Sequence, residues 1–121
     1  HNNAGIISFI DTFNAFVKNK TYIRKTLVCA FESNKSINET IGSLSECFDE
    51  IICTETGIKK SMNCKKIVKL FNSPKAKQNI NINKVFEKIK KTSDNNLICI
   101  IGTHYFGPFI NDLYNKSFAK I

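Results

Sequence analysis

Leu97-Ile98-Cys99-Ile100-Ile101-Gly102 is the most apolar strand-like run in the chain. A continuous apolar run that ends at a glycine is typical of a β-strand covered on both faces. Two more runs share this character, over residues 25–31 (Lys-Thr-Leu-Val-Cys-Ala-Phe) and 49–54 (Asp-Glu-Ile-Ile-Cys-Thr). Because doubly covered strands belong to parallel sheets, these runs predict a mostly parallel sheet in which the 97–101 strand is central.

Segments with helical spacing of apolar residues separate these runs. The first, with apolar residues at Ile6, Ile7, Ile10, Phe13, Phe16 and Val17, predicts a helix that ends near 18–20 and has Asn2 or Asn3 as its N-cap. A capping box at Ser36-Ile37-Asn38-Glu39 predicts a helix to about Cys47. Further helices are expected over 62–71, from a cap at Asn83, and from 106 or 108 to 119, with a short edge strand at 79–81.

The alternation of helices and buried strands predicts one α/β domain over residues 1–121, a Rossmann-like three-layer sandwich with helices on both faces of the sheet. A chain of 121 residues and 13.7 kDa holds one core. Ligands of such sheets bind beyond the carboxyl ends of the strands. Three segments are expected there: 32–35, 55–60 and 102–105.

The net charge of +8 raises the possibility of a nucleic-acid partner. However, the chain has 17 Lys, 15 Asn and 18 Ile but a single Arg, a bias typical of AT-rich coding DNA. Nucleic-acid sites favour Arg forks and aromatic platforms, whereas these lysines are scattered. We therefore expect a solvated basic surface and no nucleic-acid partner. No apolar run approaches the roughly 18 residues of a membrane span, and no secretion leader is visible, so no membrane association is expected.

Five cysteines, at 29, 47, 53, 64 and 99, lack Cys-x-x-Cys spacing. The odd number and the spacing disfavour a disulfide framework and a zinc site. Three of the cysteines lie inside apolar runs, where a thiol acts as a small buried hydrophobe. We expect five reduced, unliganded thiols and a cytoplasmic protein.

Three places could contact a ligand, and each has a plain structural alternative. His1 and Asn2 stand at a helix entrance, which favours an anion or is simply a cap. Gly102-Thr103-His104-Tyr105 could bring backbone and a hydroxyl to a ligand, or form a strand-to-helix turn with a Thr cap. Lys35 could meet a phosphate beside a helix start, or be solvated. The chain has neither a Walker phosphate loop nor a Gly-x-Gly-x-x-Gly fingerprint.

Several features taken in order resemble the C-terminal domain of the Mur ligase superfamily, and within it the folylpolyglutamate synthase/dihydrofolate synthase family. That domain begins with a strand ending Asp-x-Ala-His-Asn and a helix, and this chain begins His1-Asn2. The family's Asp-Lys-Asp loop corresponds to Asn34-Lys35-Ser36, and its arginine before a helix to Lys60. Its Gly-Ser-aromatic turn corresponds to residues 102–106, Gly-Thr-His-Tyr-Phe.

The chain departs from this pattern at several points. Both acids of the Asp-Lys-Asp loop are replaced, the arginine becomes Lys60 without its bidentate fork, and the serine becomes Thr103. The family's first strand, with its acid, is not among the 121 residues. The resemblance therefore implies a domain cut from a longer chain, whose central domain would hold the phosphate loop, ATP and Mg²⁺.

The resemblance implies an ATP-dependent ligase that joins glutamate to dihydropteroate or folate through an acyl phosphate, inside a cleft closed by domain movement. It places His1 and Thr103 at the glutamate. Asn2, Lys35 and Lys60, together with Gly102, His104 and Tyr105, would line the nucleotide or interdomain cleft. The partners implied are the missing domains, glutamate and a folate-type substrate, for a monomeric enzyme whose isolated domain is inactive.

Two alternatives remain open on the sequence. The chain could belong to a peptidoglycan-precursor ligase that joins an amino acid to a UDP-muramyl substrate by the same chemistry. It could also be a non-catalytic α/β binding module whose basic surface meets an acidic partner. A phosphate loop upstream in the parent protein would distinguish a ligase from a binding module.

Overall fold

The computed structural model describes residues 3–18, 20–21, 24–33, 37–58, 60–92 and 95–114. Helices and strands alternate along this part of the chain, as the apolar runs predicted. The elements are α1 (Asn3–Val17), β1 (Arg24–Ala30), α2 (Ile41–Leu44), β2 (Glu50–Cys53), α3 (Cys64–Phe71), β3 (Ala76–Gln78), α4 (Ile82–Lys90), β4 (Asn96–Gly102) and α5 (Gly107–Tyr114). Short 3₁₀ turns follow α2 at Ser45–Cys47 and precede α5 at His104–Phe106.

The four described strands form one parallel sheet in the order β3-β2-β1-β4. In its register Cys29 of β1 lies between Cys53 of β2 and Ile101 of β4. The parallel sheet is confirmed, but the prediction that 97–101 is central is wrong among the described residues. β2 and β1 hold the two interior positions, and the run from Thr26 to Ala30 in β1 is accordingly buried on both faces.

Side-chain alternation along the strands divides the core into two layers. On one face Leu27 and Cys29 pack with α1, α2 and α3, and on the other Val28 and Ala30 pack with α4 and α5. Helices therefore cover both faces, as expected for a three-layer domain. No helix in the described ranges is long and apolar enough to cross a membrane.

The first helix buries less of its apolar surface than its sequence predicts. Ile6 and Phe13 are buried, and Phe13 packs against Phe48 with ring centroids 4.8 Å apart. Ile7 and Phe16, however, are 52% and 51% exposed. Seven large apolar residues in the 15 of α1 make a stripe wider than a single underlying sheet can cover.

Two of the predicted helix starts are displaced. The regular turns of α2 begin only at Ile41, although the amide of Ile41 already donates to the carbonyl of Ile37 at 3.1 Å. Glu39 lies in the turn before the helix, so the predicted capping box does not cap α2, and its Ser36 lies outside the described residues. The helix α4 is capped by Asn81 rather than Asn83, with Asn81 Oδ1 accepting from the amide of Lys84 at 3.2 Å.

The predicted edge strand at 79–81 is also displaced, to Ala76–Gln78. Asn79 Oδ1 accepts from the amide of Asn81 at 3.1 Å, which turns the chain out of the strand. Asparagine competes with regular pairing through such local hydrogen bonds. The last helix, expected to reach 119, is described to Tyr114, and residues 115–121 lie outside the described part.

Candidate functional site

The turn after β4 is attached to the carboxyl end of β1. Gly102 has φ +125°, and a Cβ at this position would overlap the carbonyl oxygen of Ala30. Directly after it, the Thr103 amide donates to that same oxygen at 2.9 Å. Only glycine allows the two backbones this approach at this φ. The sequence predicted that Gly102 lets backbone approach a ligand; in the structure it lets β4 approach the backbone of Ala30 in β1, and the ligand contact stays a prediction.

Thr103 holds the turn that starts α5. Its Oγ1 accepts from the Tyr105 amide at 3.2 Å, and its carbonyl accepts from the Phe106 amide at 3.3 Å. The side chain is only 3% exposed. The Thr-cap alternative from the sequence thus describes what Thr103 does in this structure. Because the Tyr105 bond uses Oγ1 as an acceptor, the hydroxyl proton of Thr103 can still be donated.

The loop after β2 folds back onto the end of β1. The Ser33 amide donates to the Lys60 carbonyl at 2.6 Å, and the Met62 amide donates to the Phe31 carbonyl at 2.7 Å. Between them Glu32 and Ser61 form an antiparallel bridge. Lys60 is exposed, so the bridge fixes its backbone at the carboxyl edge while its ammonium faces solvent.

Sequence reasoning missed Glu55, which occupies the amino end of α3. Its Oε2 accepts from the Cys64 amide at 3.0 Å, beside the N-cap Asn63, whose Oδ1 accepts from Lys65. A carboxylate there is favoured by the helix dipole. Burial, and then the hydrogen bond and charge of Glu55, raise the pKa of the Cys64 thiol to about 11. This helix end is therefore satisfied from within the chain. The sequence signal that could have indicated this contact is the acidic residue nine positions before Cys64, in the loop after β2.

Buried threonine hydroxyls follow two of the strands at this edge. Thr54, just after β2, is fully buried, and its Oγ1 has no hydrogen-bond partner within the described ranges. Its amide donates to the Cys29 carbonyl at 2.9 Å, which continues the sheet ladder. Thr56, two residues on, is also buried, with Oγ1 accepting from the Ile58 amide at 3.4 Å. The edge is polar but closely packed.

Some of the predicted site residues lie together in the structure, and the others fall outside the described residues. Gly102, Thr103 and Tyr105 form one turn, and Lys60 lies at the same end of the sheet on the loop paired with β1. Tyr105 is 38% exposed. The remaining candidates lie outside the described residues: His1, Asn2, Lys35 and the side chain of His104.

The cysteines are unsuited to nucleophilic chemistry. Cys29 and Cys53 are fully buried with their Sγ atoms 3.9 Å apart, and burial raises the pKa of Cys29 well above its usual value. Burial also raises the pKa of Cys99 to about 11. All five thiols are free. No group of three or more His, Cys, Asp or Glu within the described ranges is arranged to hold a metal ion.

A cavity of about 210 Å³ opens at the opposite end of the sheet. The Glu50 carboxylate forms ion pairs there with Arg24, at an N–O distance of 3.7 Å, and with Lys88, at 3.6 Å. Both cations are at least half exposed, so these ion pairs contribute little stability. The cavity is separate from the Thr103 turn, and its charges already pair with one another.

No family model and no curated protein matches the chain. Solved structures do match it. A bifunctional folylpolyglutamate synthase/dihydrofolate synthase from Yersinia pestis, complexed with AMPPNP and Mn, is 15% identical at a TM-score of 0.76, over 96% of this chain and 27% of that one. Escherichia coli FolC with DHPP and ADP is 11% identical at 0.78, over 95% and 27%. A further bifunctional enzyme with Mn, AMPPNP and L-glutamate is 14% identical at 0.72, over 96% and 27%.

These similarities establish the fold of the chain over almost its whole length. The structural neighbours are folylpolyglutamate synthase/dihydrofolate synthase chains, the group that the sequence motifs resemble, and the α/β class is confirmed. The chain spans about 27% of the length of these neighbours.

Proposed function

We propose that this chain is the C-terminal domain of an ATP-dependent ligase that adds glutamate to dihydropteroate or folate. The observation that carries the proposal is the Gly102-Thr103 turn, attached to Ala30 at the carboxyl edge of the sheet. The turn matches the family's Gly-Ser-aromatic motif in a chain with the fold of folate–glutamate ligases. Its position is where an open parallel sheet binds ligands.

The reaction consumes ATP as a substrate. A carboxyl group of the pteroate or folate is activated as an acyl phosphate, and the amino group of glutamate displaces phosphate, giving an amide, ADP and phosphate. The described residues include no cluster suited to a divalent metal. The family resemblance assigns Mg²⁺ and the ATP phosphates to the central domain of such ligases, where fixed charges stabilise the transferred phosphoryl group.

The residues of this chain position glutamate and close the cleft. Thr103 presents its remaining hydroxyl proton to a glutamate carboxylate, while Tyr105 keeps the hydroxyl oriented. The family resemblance assigns His1 to the same carboxylate and Asn2 to a supporting role beside it. Gly102 makes the backbone approach that holds Thr103 in place.

The interdomain surface is assigned to the lysines around the end of β1. The backbone carbonyl of Lys60 accepts a hydrogen bond from the amide of Ser33, and Ser33 lies two residues before Lys35 in sequence. An exposed ammonium on a fixed backbone can meet phosphate or an acidic group of the central domain without reorganising the loop. By the resemblance, His104 and Tyr105 are assigned to the same cleft.

Steady-state kinetics of the full-length enzyme test the role of Thr103, with glutamate varied at saturating ATP and folate substrate. Thr103→Val removes the hydroxyl and keeps the shape, whereas Thr103→Ser keeps the hydroxyl. Loss of a hydrogen bond to a charged ligand is worth about 1.5–3 kcal/mol, so the Val variant should lose roughly ten- to a hundredfold in kcat/KM for glutamate. The Ser variant should stay near wild type.

The same experiment separates binding from turn structure. Thr103→Val removes the cap on the Tyr105 amide in either case, so a loss of thermal stability is expected of both roles. A threonine that only caps the turn would, when replaced by Val, raise the KM values for all substrates alike, whereas a glutamate contact would raise the KM for glutamate selectively. Wild-type glutamate kinetics in Thr103→Val and in His1→Ala would remove both residues from the glutamate site.

A further inference from the structure

The cavity at the amino end of the sheet is lined by three strands and one helix. In the register of the sheet, Thr26 of β1 lies between Glu50 of β2 and Ile98 of β4. All three residues line the cavity, together with Ile52 from β2 and Ile89 from α4. The three isoleucines belong to the core layer that contains α4 and α5. The cavity is therefore a gap at the end of that layer, with an apolar wall.

Thr26 brings a buried hydroxyl to this wall. The residue is only 7% exposed, and among the described residues none forms a hydrogen bond with its hydroxyl. The hydroxyl of Thr92, on the helix side of the cavity, is in contrast used within the chain, because it donates to the Lys88 carbonyl at 3.0 Å. A buried hydroxyl is costly unless it is hydrogen-bonded, so the Thr26 hydroxyl is suited to an oxygen atom that enters the cavity.

Arg24 and Lys88 line the same cavity and have hydrogen-bond donors to spare. Their side-chain nitrogen atoms lie 3.7 and 3.6 Å from Glu50 Oε2. These are ion-pair distances, longer than the roughly 2.7–3.2 Å of a hydrogen bond from N–H to oxygen. The largely buried Glu50 carboxylate thus holds both cations at the cavity and leaves their N–H groups available to another acceptor. Two cations and one carboxylate leave one net positive charge there.

A second cavity, of about 220 Å³, shares Arg24 and Glu50 with the first. Its other lining residues are Asp49, Pro74, Lys75 and Lys77. The isoleucine wall therefore distinguishes the first cavity from a neighbour that is lined mainly by charged side chains. An inorganic anion gains nothing from an apolar wall, whereas an organic anion buries its apolar surface against it. The first cavity is the one suited to an organic anion.

The geometry points to this first cavity as a binding site for a small organic monocarboxylate. The carboxylate accepts hydrogen bonds from the two cations and from the Thr26 hydroxyl, and the apolar body lies against the three isoleucines. A cavity of about 150 Å³ holds one benzene ring. The cavity of about 210 Å³ therefore suits one ring or one branched chain together with the carboxylate. The site lies at the opposite end of the sheet from the Thr103 turn and is separate from the proposed function.

Isoleucine methyl NMR of the full-length protein tests the site, with sodium benzoate as the probe. A ligand of about ten non-hydrogen atoms in an open cavity should bind with a Kd of about 1–10 mM. Benzoate should shift the δ1 methyl signals of Ile52, Ile89 and Ile98 along saturable curves. The methyl signals of Ile41 and Ile67, which are buried in the other core layer, should stay unchanged. No saturable shift of the first three signals would overturn the proposal.

Two further probes test the chemistry of the ligand. Benzyl alcohol has the same ring without the charge and should bind at least about threefold more weakly than benzoate. Equal affinities would mean that the cavity is apolar but does not recognise a carboxylate, and the proposal would fail. Sodium phosphate that shifts the same three methyl signals at lower concentration than benzoate would also contradict it, because the site would then bind inorganic anions.

Substitutions at the cavity test the individual contacts. Thr26→Val replaces the hydroxyl with a methyl group and should weaken benzoate binding about three- to tenfold, whereas Thr26→Ser should keep it. Lys88→Met retains the side-chain length and removes an exposed charge, so it should weaken binding about two- to fivefold. Lys84→Met, on the same helix but outside the cavity, is the matched control. Wild-type affinity in both Thr26→Val and Lys88→Met would overturn the proposal. Since binding is read without turnover, that result would leave the proposed ligase function standing.

Discussion

Replacing Gly102 with alanine tests the attachment of the site turn to the sheet. At φ +125° any L side chain is strained, which costs about 1–3 kcal/mol. The new Cβ would also overlap the Ala30 carbonyl oxygen, which accepts the Thr103 amide at 2.9 Å. Displacing that bond costs a further ~0.5–1.5 kcal/mol. The free energy of unfolding should fall by about 1.5–4.5 kcal/mol in total.

Two other glycines are matched controls for urea-induced unfolding. Gly57 has φ +79° but no described atom within 4 Å of a Cβ, so Gly57→Ala should cost only the strain, about 1–2 kcal/mol. Gly42 lies in α2 with equal space and no positive φ, so Gly42→Ala should gain about 0.5–1 kcal/mol. Equal losses in Gly102→Ala and Gly57→Ala would refute the role assigned to the Ala30 contact.

Further predictions concern the thiols and α1. Titration under denaturing, non-reducing conditions should find five free thiols, and three or one would reveal a disulfide. Burial holds the pKa of the Cys64 and Cys99 thiols in the folded protein at about 11, against an ordinary 9.0. The stability that these two neutral thiols contribute is therefore complete below pH 9 and is lost as the pH rises from 9 through 11. Cys99→Ser should therefore weaken the fall of the unfolding midpoint between pH 9 and 11, and an unchanged slope would contradict the shift. Phe13→Ala should cost about 3–5 kcal/mol, whereas Phe16→Ala at a half-exposed position should cost far less, and similar losses would contradict the packing of α1.

The sequence predicts the strands better than their order. The runs over 25–31, 49–54 and 97–101 are visible because strands covered on both faces are continuously apolar. Their order depends on pairing between distant residues, so the most apolar run was wrongly expected at the centre. The exposure of Ile7 and Phe16 shows the same limit, because the helical spacing of apolar residues does not indicate how wide a helix face the sheet can cover.

The turn that carries part of the candidate site was predictable where a local rule applies. A glycine is required after β4 because the backbones approach closely there, whereas the ligand contacts of the turn stay a prediction. Glu55 was missed because its contact with the Cys64 amide depends on a loop that folds back, which no local pattern records. The N-cap of α4 is Asn81 and not the predicted Asn83 for a related reason. Both asparagines carry a side-chain oxygen that could cap the helix, and the residue at which β3 ends determines which of them does so.

The substrate of the full-length enzyme tests the central claim most directly. The measurement is ATP-dependent incorporation of labelled glutamate into dihydropteroate or folate, with ADP release followed in parallel and a UDP-muramyl precursor as the competing acceptor. The proposal predicts a glutamyl amide on the folate-type substrate, with one ADP released for each amide and no product on the muramyl acceptor. Ligation to the muramyl acceptor, or no ADP release by a folded full-length protein supplied with all three substrates, would contradict it.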